Sequence, residues 1–315
     1  MSVPMNTHAT DIPSLGSYYP HENYPETNFL ESFESTISRS RAARTDRSED
    51  WNVLDDQLTG NQRWSTWPST EKLMRGPRPY PEFVIEDAAA IDTELGVLKT
   101  GKEADVFLIE RATDSQSALL AAKRYRSPDQ RMFNRSSTYT EGRSVRRSRD
   151  ARALKNGSSY GKLVEASRWA NSEWQYLRLC FEAGAPVPYP VQIMDTEILM
   201  EFIEDPESPG AAAPRLQQVQ PGPERLQGYW DQLVNAMTVF ASLGFAHGDL
   251  SPYNVLAAGD RLVIIDLPQF VDLSGNEQGI ELLQRDCRNM CNWFVARGLA
   301  VDSEELLAEL IAAAW

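Results

Sequence analysis

The stretch Ala246-His247-Gly248-Asp249-Leu250-Ser251-Pro252-Tyr253-Asn254-Val255-Leu256 is followed after a short turn by Leu262-Val263-Ile264-Ile265-Asp266. It carries an acid, an amide five residues on, and a second acid that closes an apolar β-branched run. Those residue types at that spacing suit phosphoryl transfer. Asp249 would accept or orient the proton of an attacking hydroxyl, while Asn254 and Asp266 would hold the metal ions that neutralise charge on a triphosphate. A single Asp or Asn in a loop is more simply a turn former. Here the polar residues stand between Phe245-Ala246, Val255-Leu256 and Val263-Ile264-Ile265. A carboxylate at the end of a buried strand costs desolvation unless metal or hydrogen bonds offset it.

Such chemistry needs further elements to hold a nucleotide. Leu95-Gly96-Val97-Leu98-Lys99-Thr100-Gly101-Lys102-Glu103-Ala104-Asp105-Val106-Phe107-Leu108-Ile109 reads as strand, tight turn, strand. Its Gly101-Lys102 turn offers backbone N–H groups and an ammonium to phosphate oxygens. The turn alone matches neither of the familiar Gly-rich phosphate loops and would pass for an ordinary hairpin. The next apolar strand, Leu119-Leu120-Ala121-Ala122-Lys123-Arg124-Tyr125, carries the lysine expected to bridge α- and β-phosphates. Further on, Trp169 to Phe181 has helical periodicity through Trp169, Glu173, Tyr176, Leu177 and Cys180. Glu173 interrupts that stripe, where an unpaired acid is expensive. An ion pair between Lys123 and Glu173 accounts for both charges, against the plainer reading of Glu173 as an exposed helix acid. Glu197 to Ile203 then reads as a strand ending at an inter-lobe hinge. Backbone groups of Glu201 and Ile203 would meet an adenine edge and Met200 would line the pocket, although a plain edge strand fits the segment equally well.

The remaining segments position these residues. Ile85 to Leu95 alternates acids with small apolar residues and is expected to form a short helix. Asp205 to Pro223 reads as a Pro-, Gly- and Ala-rich linker. Glu224 to Leu243 puts Leu226, Trp230, Leu233, Met237, Phe240 and Leu243 on one stripe of a buried helix that ends at Gly244 and delivers the chain to His247. His247 itself reads as catalytic or structural. After Asp266 two helices are expected, Ile280 to Arg297 and Asp302 to Ala314, the second with a capping-box pattern in Asp302-Ser303-Glu304-Glu305. No A-P-E motif follows, so little room remains for a long activation segment.

Length and composition fit an α+β fold of two lobes preceded by a tail, since 315 residues, 42% of them hydrophobic, can bury a sizeable core. Residues 1–79 are polar and Pro-rich, and are expected to be a largely disordered or partner-docking tail. Trp51, Trp64 and Trp67 are its exceptions, either docked onto a folded partner or locally collapsed. Residues 80–203 form the expected N-lobe with the phosphate loop and a basic flexible loop, and residues 204–315 the helical C-lobe with catalytic and metal loops. Cys180, Cys287 and Cys291 form no C-x-x-C pair and are expected in the core rather than on zinc. No apolar run spans a membrane and no signal peptide opens the chain, so a cytoplasmic location without a membrane partner is expected.

The net charge of −14 opposes nucleic-acid binding at long range. Arg124 to Lys162 is the exception, with eleven basic residues against Asp129, Glu141 and Asp150. Its guanidinium groups suit phosphate or RNA backbone, whereas base-specific reading is not expected of it.

With these residues in view, the chain resembles the RIO family of atypical serine/threonine protein kinases. The resemblance rests on Thr100-Gly101-Lys102-Glu103-Ala104-Asp105-Val106-Phe107, His247-Gly248-Asp249-Leu250-Ser251-Pro252-Tyr253-Asn254 and Ile265-Asp266-Leu267-Pro268-Gln269, and covers roughly Tyr80 to Gly298. It implies a trimmed protein-kinase-like fold binding ATP with magnesium, manganese being an alternative, and serine autophosphorylation or phosphorylation of another protein. On that mapping Lys123, Glu173, Asp249, Asn254 and Asp266 take the roles argued above, and Lys102 and Glu103 belong to the phosphate loop. The family also implies work in maturation of the small ribosomal subunit, and in some members ATPase turnover through a phospho-aspartate, here at Asp266. The tail does not look like the winged helix of one subfamily, so the chain resembles the subfamily lacking it.

Two other functions compete. Antibiotic and choline phosphotransferases also carry a His-Gly-Asp-Leu loop, which would make this an aminoglycoside-like small-molecule kinase. They generally lack the Gly-Lys-Glu-Ala and Asp-Leu-Pro-Gln segments found here. An ATP-gated assembly factor gripping RNA or a ribonucleoprotein through Arg124 to Lys162 is the other.

Overall fold

The computed structural model describes residues 58–126, 159–267 and 270–315, and the side chains of 159–164 are outside the description. The expected disordered tail therefore lies largely outside the described residues, and so do Trp51 and most of the basic segment.

The N-lobe is one antiparallel sheet built from β1 (Gln62–Trp64), β2 (Ile91–Thr100), β3 (Ala104–Ala112), β4 (Ser117–Tyr125), β5 (Pro190–Met194) and β6 (Glu197–Glu201). Their order across the sheet is β1-β2-β3-β4-β6-β5. Helix α1 (Ser159–Glu182) packs on β4, β5 and β6. Its buried side is Ala166, Ala170, Glu173, Trp174, Leu177 and Cys180, the three-and-four spacing of one helical face. Trp67, Ile109, Leu120, Ala122, Tyr189, Val191 and Leu199 form the core of this lobe.

Two expectations need correction here. The tail does not extend to residue 79. β1 pairs with the start of β2, placing Trp64 opposite Ile91, and Trp67 is only 2% exposed, edge-on to Tyr80 at 5.2 Å. A polar network seals this segment to the sheet. Arg111 makes a bidentate pair with Asp92 at 2.6 and 3.0 Å and also donates to Gln192 at 3.0 Å. Gln192 in turn donates to Thr66 and Thr70 at 2.7 and 3.1 Å. The helix expected over Ile85 to Leu95 is likewise absent, because β2 begins at Ile91. Pairing along β3 and the buried Asp92 to Arg111 contact outweigh the local helix preference of the Ala-rich run before it.

In the C-lobe the expected linker contains a hairpin of β7 (Glu204–Asp205) and β8 (Ser208–Ala212). Helix α2 (Pro223–Ser242) starts on Pro223 and ends at Leu243-Gly244, where Gly244 adopts φ 83°. It leads into β9 (Phe245–Ala246) and the loop from His247 to Asn254, then the hairpin of β10 (Val255–Ala258) and β11 (Arg261–Ile264). Beyond Asp266, β12 (Val271–Asp272) returns to pair with β9. Helices α3 (Gly279–Val295) and α4 (Ser303–Ala314) pack against each other, and α4 also covers α2. Asp302 caps α4 by accepting from the N–H groups of Glu304 and Glu305 at 2.8 and 3.0 Å. Cys180, Cys287 and Cys291 are all buried and free. The result is a two-lobed, kinase-like α+β fold.

Candidate active site

The loop from His247 to Asn254 is held from below by Asp286, on the buried face of α3. Its two carboxylate oxygens accept from the N–H groups of Gly248 and Leu250 at 2.7 and 2.8 Å. Asn289, one turn further along α3, donates to the Leu250 carbonyl at 3.1 Å, and Arg285 donates to the Gly248 carbonyl. Burial pushes the Asp286 carboxyl up to about 7, against the pull of the two N–H donors and Arg285. Asp249 is thus carried on a backbone fixed at the residues on either side of it.

His247 is buried and joins this loop to the metal loop. Its Nδ1 accepts from the Asp249 N–H at 3.3 Å, and its Nε2 lies 3.1 Å from the Ile265 carbonyl, which makes Nε2–H the donor. Burial lowers the affinity of this ring for a second proton. Ile265 closes the frame from the other side, donating to the Asn254 carbonyl at 2.9 Å, and the Asn254 amide donates to the Asp249 carbonyl at 2.9 Å. The acid, the amide and the second acid are therefore positioned by one set of hydrogen bonds. Asp266 itself adopts φ 70°, a left-handed conformation that Asp tolerates better than most residues.

Above this frame, the Lys123 ammonium lies 2.6 Å from Glu173 and 2.9 Å from Asp266. The pairing reasoned from sequence is present, and it extends across the cleft into the C-lobe. Tyr125 donates to the other oxygen of Glu173, so this buried acid, 3% exposed, has both oxygens occupied. Burial opposes the Lys123 charge, but Asp266 and Glu173 outweigh it and hold the ammonium above its ordinary range. Lys123, with Lys99 second, holds the Asp266 carboxyl well below the usual carboxylate range. Glu173 is raised by burial, with Lys123 pulling the other way. Behind these charges Phe270 packs on Tyr176 of α1 and on Phe240, with ring centroids 5.3 and 4.9 Å apart, and contacts His247 at 5.8 Å.

The phosphate loop turns at Gly101, whose N–H donates to the Ala104 carbonyl at 3.0 Å. A Cβ at that position would lie 2.8 Å from the same carbonyl oxygen, so only glycine fits. Lys102 is exposed at the tip, and the Glu103 carbonyl accepts from the Arg126 N–H at 2.8 Å. At the hinge, the Glu201 N–H donates to the Tyr189 carbonyl, and the Ile203 carbonyl accepts from the Ala213 N–H, each at 2.9 Å. The Glu201 carboxylate also links the lobes, accepting from the Tyr189 N–H at 3.0 Å and from Arg261 at 3.1 Å. Met200 is half-buried and stands opposite Ala121 of β4.

The RIO domain profile matches residues 110–306. The RIO-type serine/threonine-protein kinase Rio1 of Haloferax volcanii is 32% identical over 218 residues, covering 69% of this chain and 68% of its own. The chain belongs to the RIO family of serine/threonine-protein kinases. Human serine/threonine-protein kinase RIO1 is 28% identical over 226 residues, 70% of this chain but only 37% of its own, so this RIO chain spans little more than a third of that relative. The Rio2 kinase of Chaetomium thermophilum, solved as an ADP/Mg2+-phosphoaspartate complex, aligns with a TM-score of 0.47 and 21% identity over 70% of this chain and 65% of its own.

Three contributors to the site in this RIO chain escaped the sequence reading. Asp286 was legible in principle, as an acid interrupting the apolar face of α3 just as Glu173 interrupts that of α1. Lys99 precedes the phosphate-loop motif and carried no signal of its own, yet its ammonium is 3.0 Å from Asp266. Tyr125 follows Lys123 by two residues on β4, which puts it on the same face. The basic segment also begins differently from expectation, because its first two arginines are engaged within the fold. Arg124 pairs with Glu94 and Glu197, and Arg126 with Asp105.

Proposed function

We propose that this RIO chain binds ATP with magnesium between its lobes and transfers the γ-phosphoryl group to a serine hydroxyl, its own chain included among the acceptors. The observation that carries this reading is the contact of Lys123 with Glu173 on one side and Asp266 on the other, directly above the frame that holds Asp249 and Asn254. The donor set suits the metal. Asn254 uses its amide nitrogen on the Asp249 carbonyl, which leaves its Oδ1 to join the Asp266 carboxylate as a second hard oxygen ligand for the ion. Among the described residues no group of three or more His, Cys, Asp or Glu side chains is placed to hold a metal ion. Two side chains completed by substrate phosphates is the manner in which magnesium is commonly held. Bound there, the ion would supply charge neutralisation on the phosphates.

The residues then divide the work. Lys123 presents its ammonium to the α- and β-phosphates, steadied by Glu173. The Gly101 turn brings backbone N–H groups and Lys102 near the phosphate tail, with Glu103 beside it. At the hinge, the Ile203 N–H and the Glu201 carbonyl take the adenine edge, over Met200. Asp249 orients the acceptor hydroxyl; as its oxygen bonds to the γ-phosphorus, the proton passes to the Asp249 carboxylate and the bond to the β-phosphate oxygen breaks, releasing ADP.

Incubation with γ-labelled ATP and magnesium, followed by mass spectrometry, tests the proposal. Phosphoserine should form, and Asp249→Asn should lower its rate by about 100-fold or more. An acid-labile acyl phosphate on Asp266 with no phosphoserine would make the chain an ATPase instead. Transfer only to an added aminoglycoside would make it a small-molecule kinase.

A further inference from the structure

The Asp266 carboxylate is divided between two ammonium groups. Lys123 holds Oδ1 at 2.9 Å and Lys99 holds Oδ2 at 3.0 Å. The two lysines lie in one row across three strands, because Lys99 of β2 and Lys123 of β4 are both cross-strand partners of Val106 on β3. Lys99 reaches that row by an irregularity. β2 pairs Val97 with Phe107 and Lys99 with Val106, so Leu98 is an extra residue. A bulge of this kind turns the next side chain to the opposite face. Without it Lys99 would share the face of Val97, whose side chain is exposed to solvent. The backbone irregularity thus aims a cation at the Asp266 carboxylate oxygen that Lys123 leaves free.

We propose that Lys99 is a positioning residue that competes with the divalent cation for Asp266 and so sets how strongly nucleotide binding depends on metal. This rests on the nucleotide-site reading above and adds to it a specific coupling. Before metal arrives, Lys99 offsets the charge of Asp266, which would otherwise repel a triphosphate. Metal coordination at Asp266 requires Lys99 to release Oδ2, and the freed ammonium is then within the same cleft as the phosphates. At 40% side-chain exposure Lys99 can be replaced without disturbing the core.

The test is equilibrium binding of a fluorescent N-methylanthraniloyl ATP to the full chain, with excess EDTA and over a magnesium titration. For Lys99→Met, Kd without metal should rise while the magnesium concentration at half-saturation falls, so that the ratio of metal-free to metal-loaded Kd increases by about fivefold or more. Lys99→Arg, which keeps the charge, should return the ratio towards the wild-type value. A ratio within about twofold of wild type in Lys99→Met, or the same change in Lys99→Arg, would overturn the role of Lys99 while leaving the nucleotide site intact. Wild-type protein that binds no nucleotide under either condition would overturn the nucleotide-site reading, and this inference with it.

Discussion

Asp286 and His247 illustrate how much of this site depends on side chains that never face the cleft. Truncating Asp286→Ala would remove the carboxylate that accepts from the buried N–H groups of Gly248 and Leu250. Each such removal costs about 1–3 kcal/mol, so urea denaturation should show a loss of that order, and phosphoryl transfer should fall with the misplacement of Asp249. His247 gives a pH signature. Its ring is neutral in the fold because burial opposes the proton and Nδ1 already accepts from the Asp249 N–H. The unfolded chain takes up that proton near the ordinary value of 6.5, whereas the folded chain does so only at lower pH. The contribution is therefore fully present above pH 6.5 and lost as pH falls through the folded pKa, by up to about 1.4 kcal/mol per pH unit. Unfolding free energies measured at pH 7.5 and 5.5 should show a smaller difference for His247→Gln than for the wild type.

At the level of elements, the same distinction separates what could be read from sequence and what could not. Helices α2, α3 and α4 were legible because their apolar residues recur at helical spacing and their ends carry Gly244 and Asp302. The motif loops were legible because the polar residues interrupt apolar strands. The segment from residue 58 to 79 was not, since its attachment comes from one buried Trp67 and from partners far away in sequence, Asp92, Arg111 and Gln192. No local pattern advertises such contacts. The helix misread over Ile85 to Leu95 has the same origin, a weak local preference overridden by pairing with β3. The network itself is testable. Asp92→Ala would strand the Arg111 guanidinium, 1% exposed, without its bidentate partner. Chemical denaturation should show a loss of about 3–5 kcal/mol, with activity retained once the protein is folded at low temperature.

For the molecule as a whole, the ion pairs of Asp266 with Lys99 and Lys123 and that of Glu201 with Arg261 tie the lobes together. A ligand seated between them binds only the assembled pair of lobes. ATP with magnesium at 100 times Kd should therefore add about 2.7 kcal/mol to unfolding, seen as a single transition at raised Tm in a thermal scan. Deleting residues 1–79 should lower Tm relative to deleting 1–57, because only the longer cut removes β1 and Trp67. β1 has a consequence for solution behaviour as well. It covers only the first three residues of β2, and from Leu95 to Thr100 no strand flanks the other side of β2 among the described residues. Leu95, Val97 and Leu98 are exposed along that margin. A straight, greasy margin of this length would recruit a neighbouring chain into a continuous intermolecular sheet. The two irregularities at Glu94/Gly96 and Val97/Lys99 break its repeat, so the distortion that turns Lys99 towards Asp266 also makes this margin a poor template for edge-to-edge pairing.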